Sequence, residues 1–253
     1  MPDDTHIGGP SSRFPATRWS AILAARSPDP AERSRALNIF VTAYWKPVYK
    51  YIRVRWNRST EDAQDLTQEF FARLIEKGFL DGYDPAKARL RTYLRVCIDG
   101  LVQNEDKAAR RLKRGGDAQI FSLDFETAEG ELNRLDPPAP GSLDDFFEQE
   151  WVRSLFSLAV DSLRTECKAR GKSVHFRLFE LYDLDDDSAH RLTYDDLARQ
   201  FGLSPTDVTN YLAFARREFR RIALEKLREM TASDNEFRHE ARALFGIDLG
   251  DSA

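Results

Sequence analysis

The sequence predicts an all-α protein: two helical domains joined by an acidic linker. Three observations carry this. Apolar residues recur three or four apart in segment after segment, the period of an amphipathic helix. Convincing strand alternation is absent, the nearest approach being the short run at 119–124. One acidic, proline-containing stretch separates two blocks of such helices. The expected division is a mobile N-terminus at 1–15, a helical domain at 16–116, the linker at 117–142, a second helical domain at 143–232, and a tail with a short helix at 233–253.

The first domain opens with a short helix in which Thr17 is the N-cap and Trp19, Ile22 and Leu23 form a stripe. A longer helix runs from about Ala31 to Trp56, with Phe40, Val41, Tyr44, Val48 and Ile52 inward, and Pro47 should kink or split it. In the next, at 61–75, Ala63, Leu66, Phe70 and Leu74 share one face and Asp62, Asp65, Gln68 and Glu69 the other. Ser59 or Thr60 can cap it, and its early carboxylates suit the positive end of the helix dipole. A fourth helix carries Leu90, Tyr93, Leu94, Cys97, Ile98 and Leu101 on one face and ends before Gly115 and Gly116. Beyond the linker, helices are expected at about 143–169 and 173–184.

Thr193 to Leu212 has the wording of a helix-turn-helix. Thr193 caps the first helix, Leu197 and Phe201 point inward, Gly202 supplies the positive φ of the turn, and Ser204 caps the second with Pro205 at its first position. Thr206, Thr209 and Asn210 then face outward near the start of the second helix, where a recognition helix reaches base edges. Arg216, Arg217 and Arg220 follow at positions suited to phosphates. The plain alternative is a helical hairpin with no role on DNA.

Composition narrows the classes. The chain has 253 residues, 42% hydrophobic and 32% charged, enough for one or two cored domains. No apolar run is long enough to span a membrane, and no signal peptide is visible. Cys97 and Cys167 read as buried reduced thiols of a cytoplasmic protein. The four histidines form no ligand-like spacing with them, so neither metal nor cofactor is expected. No nucleophile–base pair or phosphate loop points to an enzyme. The net charge of −4 conceals two basic blocks: residues 86–114 hold nine Lys/Arg and three Asp/Glu, a net of +6, and residues 216–228 hold six and two, a net of +4. Between them, residues 117–150 hold one Arg and ten acids, a net of −9.

The run Glu-Asp-Ala-Gln-Asp-Leu-Thr-Gln-Glu-Phe-Phe-Ala-Arg-Leu at 61–74 resembles region 2 of bacterial sigma factors of the extracytoplasmic-function (ECF) kind, in the sigma-70-like superfamily. The resemblance runs from about Phe14 to Met230, and the helix-turn-helix resembles region 4. The opening Phe-Pro-Ala-Thr-Arg-Trp-Ser and the stretch from Lys113 to Asp124 are similar to a sigma-like subfamily of bacteria rich in Ser/Thr kinases. The resemblance implies a sigma factor that binds core RNA polymerase, through the clamp helices and the flap, and opens promoter DNA. Asp62, Asp65, Gln68 and Glu69 would meet the clamp helices. Arg89, Arg91, Thr92, Tyr93 and Arg95, with Arg110 and Arg111, would read the −10 element, supplying the cations and the aromatic that hold an unstacked strand. Thr206, Thr209, Asn210, Arg216, Arg217 and Arg220 would read the −35 element. The acidic linker would thread through the polymerase interior, and an anti-sigma factor or a Ser/Thr kinase would be the regulator.

Read from the residues alone, the 61–75 face is a solvated bundle face and the 89–95 block a basic helix with Tyr93 either in the core or against a base. Two departures from the family wording stand out: Gln64 replaces a usual acid, and Asp99-Gly100 replaces a usual Arg-Asn. Thr67, one turn from Gln64, is a candidate phosphosite that would restore the missing negative charge; its alternative role is to bond back to the Ala63 carbonyl. The rival reading of the whole chain is a helix-turn-helix regulator that acts without core polymerase.

Overall fold

The computed structural model describes residues 27–76, 82–84, 86–108, 122–135, 143–185 and 192–247. Regular structure among them is helical throughout, with no strand. The helix expected around Thr17, the strand-like residues 119–121, the Gly115-Gly116 stop and the proline-rich residues 136–141 lie outside the described residues.

Helix α1, Pro30–Arg55, starts at an Asp29 cap whose side chain accepts from the Ala31 amide at 3.0 Å, with Pro30 at the first position. It continues through Pro47 instead of breaking there. Proline has no N–H for the carbonyl four residues back, which is that of Ala43. The Ser154 hydroxyl supplies the missing donor, 2.8 Å from the Ala43 oxygen. A neighbouring helix thus repairs the bond that Pro47 removes. Helix α2, Thr60–Glu76, is capped by Ser59, whose Oγ accepts from the Asp62 amide at 3.1 Å. Helix α3 spans Leu90–Ala108.

A short helix, α4 at Phe125–Leu132, lies within the expected linker. The Asp124 side chain accepts from the amide and hydroxyl of Thr127 and starts it. Two neighbours explain why this acidic piece folds. Phe125 packs on Trp45 and Tyr49, with ring centroids 5.5 and 5.1 Å apart. Glu129 and Glu131 meet the basic face of α1: Glu131 pairs with Lys46 at 2.6 Å and Lys50 at 2.8 Å, and Glu129 with Arg53 at 2.6 Å. Arg53 holds the Glu129 carboxyl below its ordinary range. Burial and the neighbouring Glu129 push the Tyr49 phenol up to about 12. The described part of the linker is therefore docked on the first domain, with Glu129 and Glu131 paired to its cations.

The long helix α5, Leu143–Ala169, is followed by α6, Ser173–Phe179, which runs into a π-helical turn at Glu180–Leu184. Then come α7, Tyr194–Phe201, α8, Pro205–Met230, and α9, Asp234–Phe245. Two hydrophobic cores result. The first gathers α1 to α4, the start of α5 through Phe147, Trp151 and Leu155, the end of α8 through Leu224, Leu227 and Met230, and Ala241 of α9. The second gathers the end of α5, α6, α7 and α8 as far as Ala223. The cores therefore divide within α5 and α8, each of which contributes to both. Fully buried side chains such as Phe70, Phe71 and Trp151 each contribute about 2–3 kcal/mol by leaving water.

Candidate functional site

The polar face of α2 holds the four residues expected to bind polymerase. Asp62 and Asp65 are exposed, and Gln68 and Glu69 half-buried. Glu69 pairs with Arg73 at 2.5 Å, one turn along, and Arg73 reaches Glu105 of α3 at 2.8 Å. The open acids of this face are thus Asp62 and Asp65. Behind it, Ala63, Phe70 and Leu74 are buried as the spacing predicts. Thr67 does not sit where a phosphosite must be. It is fully buried, and its hydroxyl donates to the Ala63 carbonyl at 2.7 Å. A kinase cannot reach it in this arrangement, because the side chain fills a core position on the Phe70–Phe71 side of the helix.

The arginines at the start of α3 are brought together, Arg89 at the surface and Arg91 inside. Arg91 is 3% exposed, a correction to its expected place on a DNA-facing side. Its guanidinium lies 3.9 Å over the Trp151 ring and pairs with Glu148 at 2.5 Å and Glu240 at 2.8 Å. Burial works against its charge, but Glu148 and Glu240 outweigh that and hold its pKa above the ordinary value. Arg89 is exposed, with one nitrogen 2.7 Å from His239 and another 3.5 Å from Glu240. Arg95 pairs with Asp144 at 2.9 Å. Thr92 and Tyr93 are half-buried, the Tyr93 ring tilted on Tyr83 at 5.4 Å. A methyl group on Gly82 would sit 3.1 Å from the Tyr93 hydroxyl, so this tyrosine is packed against the turn before α3. Arg110 and Arg111 lie outside the described residues.

Asp99, the odd residue in the family wording, has a structural partner set. It accepts from the Trp56 indole at 3.0 Å and from the Tyr51 hydroxyl at 3.3 Å, tying α3 to the end of α1. Burial and this carboxylate raise the Tyr51 phenol to about 12.

Three helices with an acidic face on α2 and an arginine cluster opening α3 agree with one family in the comparison with known protein families. Residues 40–114 match Sigma-70 region 2. The matched segment takes in most of α1 and all of α2 and α3, and it supports a place in the sigma-70-like superfamily. No curated protein and no solved structure gave a match.

The second candidate surface lies outside the region 2 segment, on α7 and α8. Thr193 and Ser204 each form a capping box, with Asp196 and Asp207 respectively, and these hydrogen bonds hold both carboxyls below their ordinary range. Gly202 closes α7 at φ +64°, and the Leu203 amide returns to the Ala198 carbonyl at 2.9 Å. Leu197, Ala198, Val208 and Leu212 are buried between the helices. Thr206, Thr209, Asn210, Arg216, Arg217 and Arg220 are all exposed on α8. Thr209 donates to the Pro205 carbonyl, and Arg216 is held by two bonds to Asp183, 2.8 and 2.9 Å long. Asp183 raises the Arg216 pKa above its ordinary range.

Periodicity did not reveal Lys50, Glu148, Glu150 and Glu240, which make the buried charge contacts between sequence-distant helices; charged residues in amphipathic helices read as solvated. Among the described residues no group of His, Cys, Asp and Glu could hold a metal ion, and no helix is long and apolar enough to cross a membrane. Burial raises both thiols above their ordinary pKa, which keeps them protonated and unreactive.

Proposed function

We propose that this protein is a sigma factor of the ECF kind, without covalent chemistry of its own. It binds core RNA polymerase through the α2 face, reads the −10 element with the start of α3, and reads the −35 element with the helix-turn-helix of α7 and α8. The observation that carries this reading is the Sigma-70 region 2 match over 40–114, on helices whose α2 presents Asp62 and Asp65 to solvent. Exposed carboxylates meeting a basic partner raise association rate and specificity. On α8, Asn210 and its neighbours specify bases while Arg217 and Arg220 fix the helix on phosphates.

One observation favours the rival reading. The α8 face is open, whereas Arg91 is buried. A regulator that used α8 alone would bind duplex DNA without polymerase. The test is affinity capture of the tagged full chain from bacterial extract, with core subunits as the readout, beside a mobility shift on duplex DNA without core. The sigma reading expects stoichiometric core subunits and a weak shift. A strong shift with no core subunits would favour the rival.

A further inference from the structure

The three described arginines of the −10 candidate site are each met by carboxylates or a histidine of α5 or α9. Arg91 faces Glu148 and Glu240, Arg89 faces Glu240 and His239, and Arg95 faces Asp144. A fourth carboxylate, Glu236, accepts from the Leu90 amide at 3.4 Å, at the N-terminus of α3. Acids on guanidinium groups and on a helix N-terminus are the contacts that nucleic-acid phosphates make. Helix α9 is seated for this position. Ser233 caps it, Ala241 is buried, and Phe237, Leu244 and Phe245 pack against the first core, so Glu236, His239 and Glu240 are turned to α3.

Resting on the sigma-factor reading, we propose that α9, with the start of α5, is a built-in competitive lid: its carboxylates hold Arg89, Arg91 and Arg95 in place of single-stranded promoter phosphates. DNA and α9 then exclude one another. The two grips differ in strength. The Arg95–Asp144 pair is at the surface, with the Asp144 side chain 70% exposed, and such pairs are weak and screened by salt. The Arg91–Glu240 contact is desolvated, with side chains 3% and 5% exposed, and sets the position of the closed state. An outer arginine can therefore meet DNA first, and Arg91 becomes available only when α9 leaves.

The test compares the full wild-type chain with E236Q/E240Q, which keeps the side-chain shape and removes the two carboxylate charges that α9 turns to α3. The probe is a fluorescein-labelled 12-nucleotide single strand of random sequence, followed by anisotropy. E225Q/E229Q makes the same change in net charge on α8, at carboxylates that pair with Arg221 and Lys226 and not with the arginines of the −10 site. The lid predicts that E236Q/E240Q binds about tenfold more tightly than wild type, and E225Q/E229Q less than about twofold more tightly. Equal gains in both variants would overturn it as a general charge effect. Hydrogen exchange on the wild type gives a second reading that needs no variant: saturating strand should raise amide exchange across 234–245. Unchanged protection there with the strand bound would also overturn the lid. Core capture by the wild type is scored in parallel: lost capture refutes the sigma reading and the lid with it, whereas normal capture with an unmoved α9 refutes the lid alone.

Discussion

Lys50→Met measures how firmly α1 is clamped to α5. Lys50 Nζ lies 2.8 Å from Glu150 and 2.8 Å from Glu131, and the Lys50 and Glu150 side chains are 3% and 1% exposed. Removing one partner of such a pair leaves an uncompensated buried charge, which costs about 3–5 kcal/mol. Two contacts place this case at the low end. Glu150 keeps Arg153, whose side chain is half exposed, and Glu131 keeps Lys46. About 3 kcal/mol lowers the melting temperature of a chain this size by roughly 6–12 °C. Replacing both members, as K50M/E150L, removes the orphaned charge and should return stability to within about 1 kcal/mol of wild type. Thermal and guanidinium unfolding followed by far-UV circular dichroism reads both variants. A single variant that melts within about 2 °C of wild type, or a double no better than the single, would refute the buried-clamp reasoning.

Three further outcomes follow from the site geometry. D65K/E69K should lose core polymerase capture by about tenfold or more with a normal helical signal, since the Glu69–Arg73 pair it breaks is a surface pair of small worth; undiminished capture would remove α2 from the interface. Asn210→Ala should relax base preference, whereas Arg217→Ala should weaken binding to all sequences and flatten the salt dependence by about one unit of slope, both read in titrations at several salt concentrations. Thr67→Glu should destabilise the fold by about 3 kcal/mol or more, because it places a carboxylate at a fully buried position, while Thr67→Ala keeps reporter activity; an active, stable Thr67→Glu would restore the phosphosite expectation.

The helices were legible because their signals are local. The caps Thr193 and Ser204, the positive φ of Gly202 and the apolar spacing of 63, 66, 70 and 74 depend on residues a few positions apart. Helix α4 was not legible, because eight residues rich in Glu have no strong stripe of their own. It is fixed by Lys46, Lys50 and Arg53, 76 to 85 residues earlier. The burial of Arg91 was not legible for the same reason. Nothing within its own helix shows that Trp151 and Glu240 will bury it. Pro47 has the same lesson in reverse: the sequence shows the missing donor, and only the packing of α5 shows that Ser154 replaces it.

The central claim is that this chain gives core RNA polymerase a promoter. The direct measurement is transcription in vitro by purified core enzyme on supercoiled genomic DNA, with and without the full-length protein, mapping transcript 5′ ends. The sigma-factor account predicts discrete new start sites that share sequence elements upstream near −10 and −35 and that disappear with D65K/E69K. A 5′-end profile identical to that of core enzyme alone, from protein that binds the same DNA without polymerase, would contradict it.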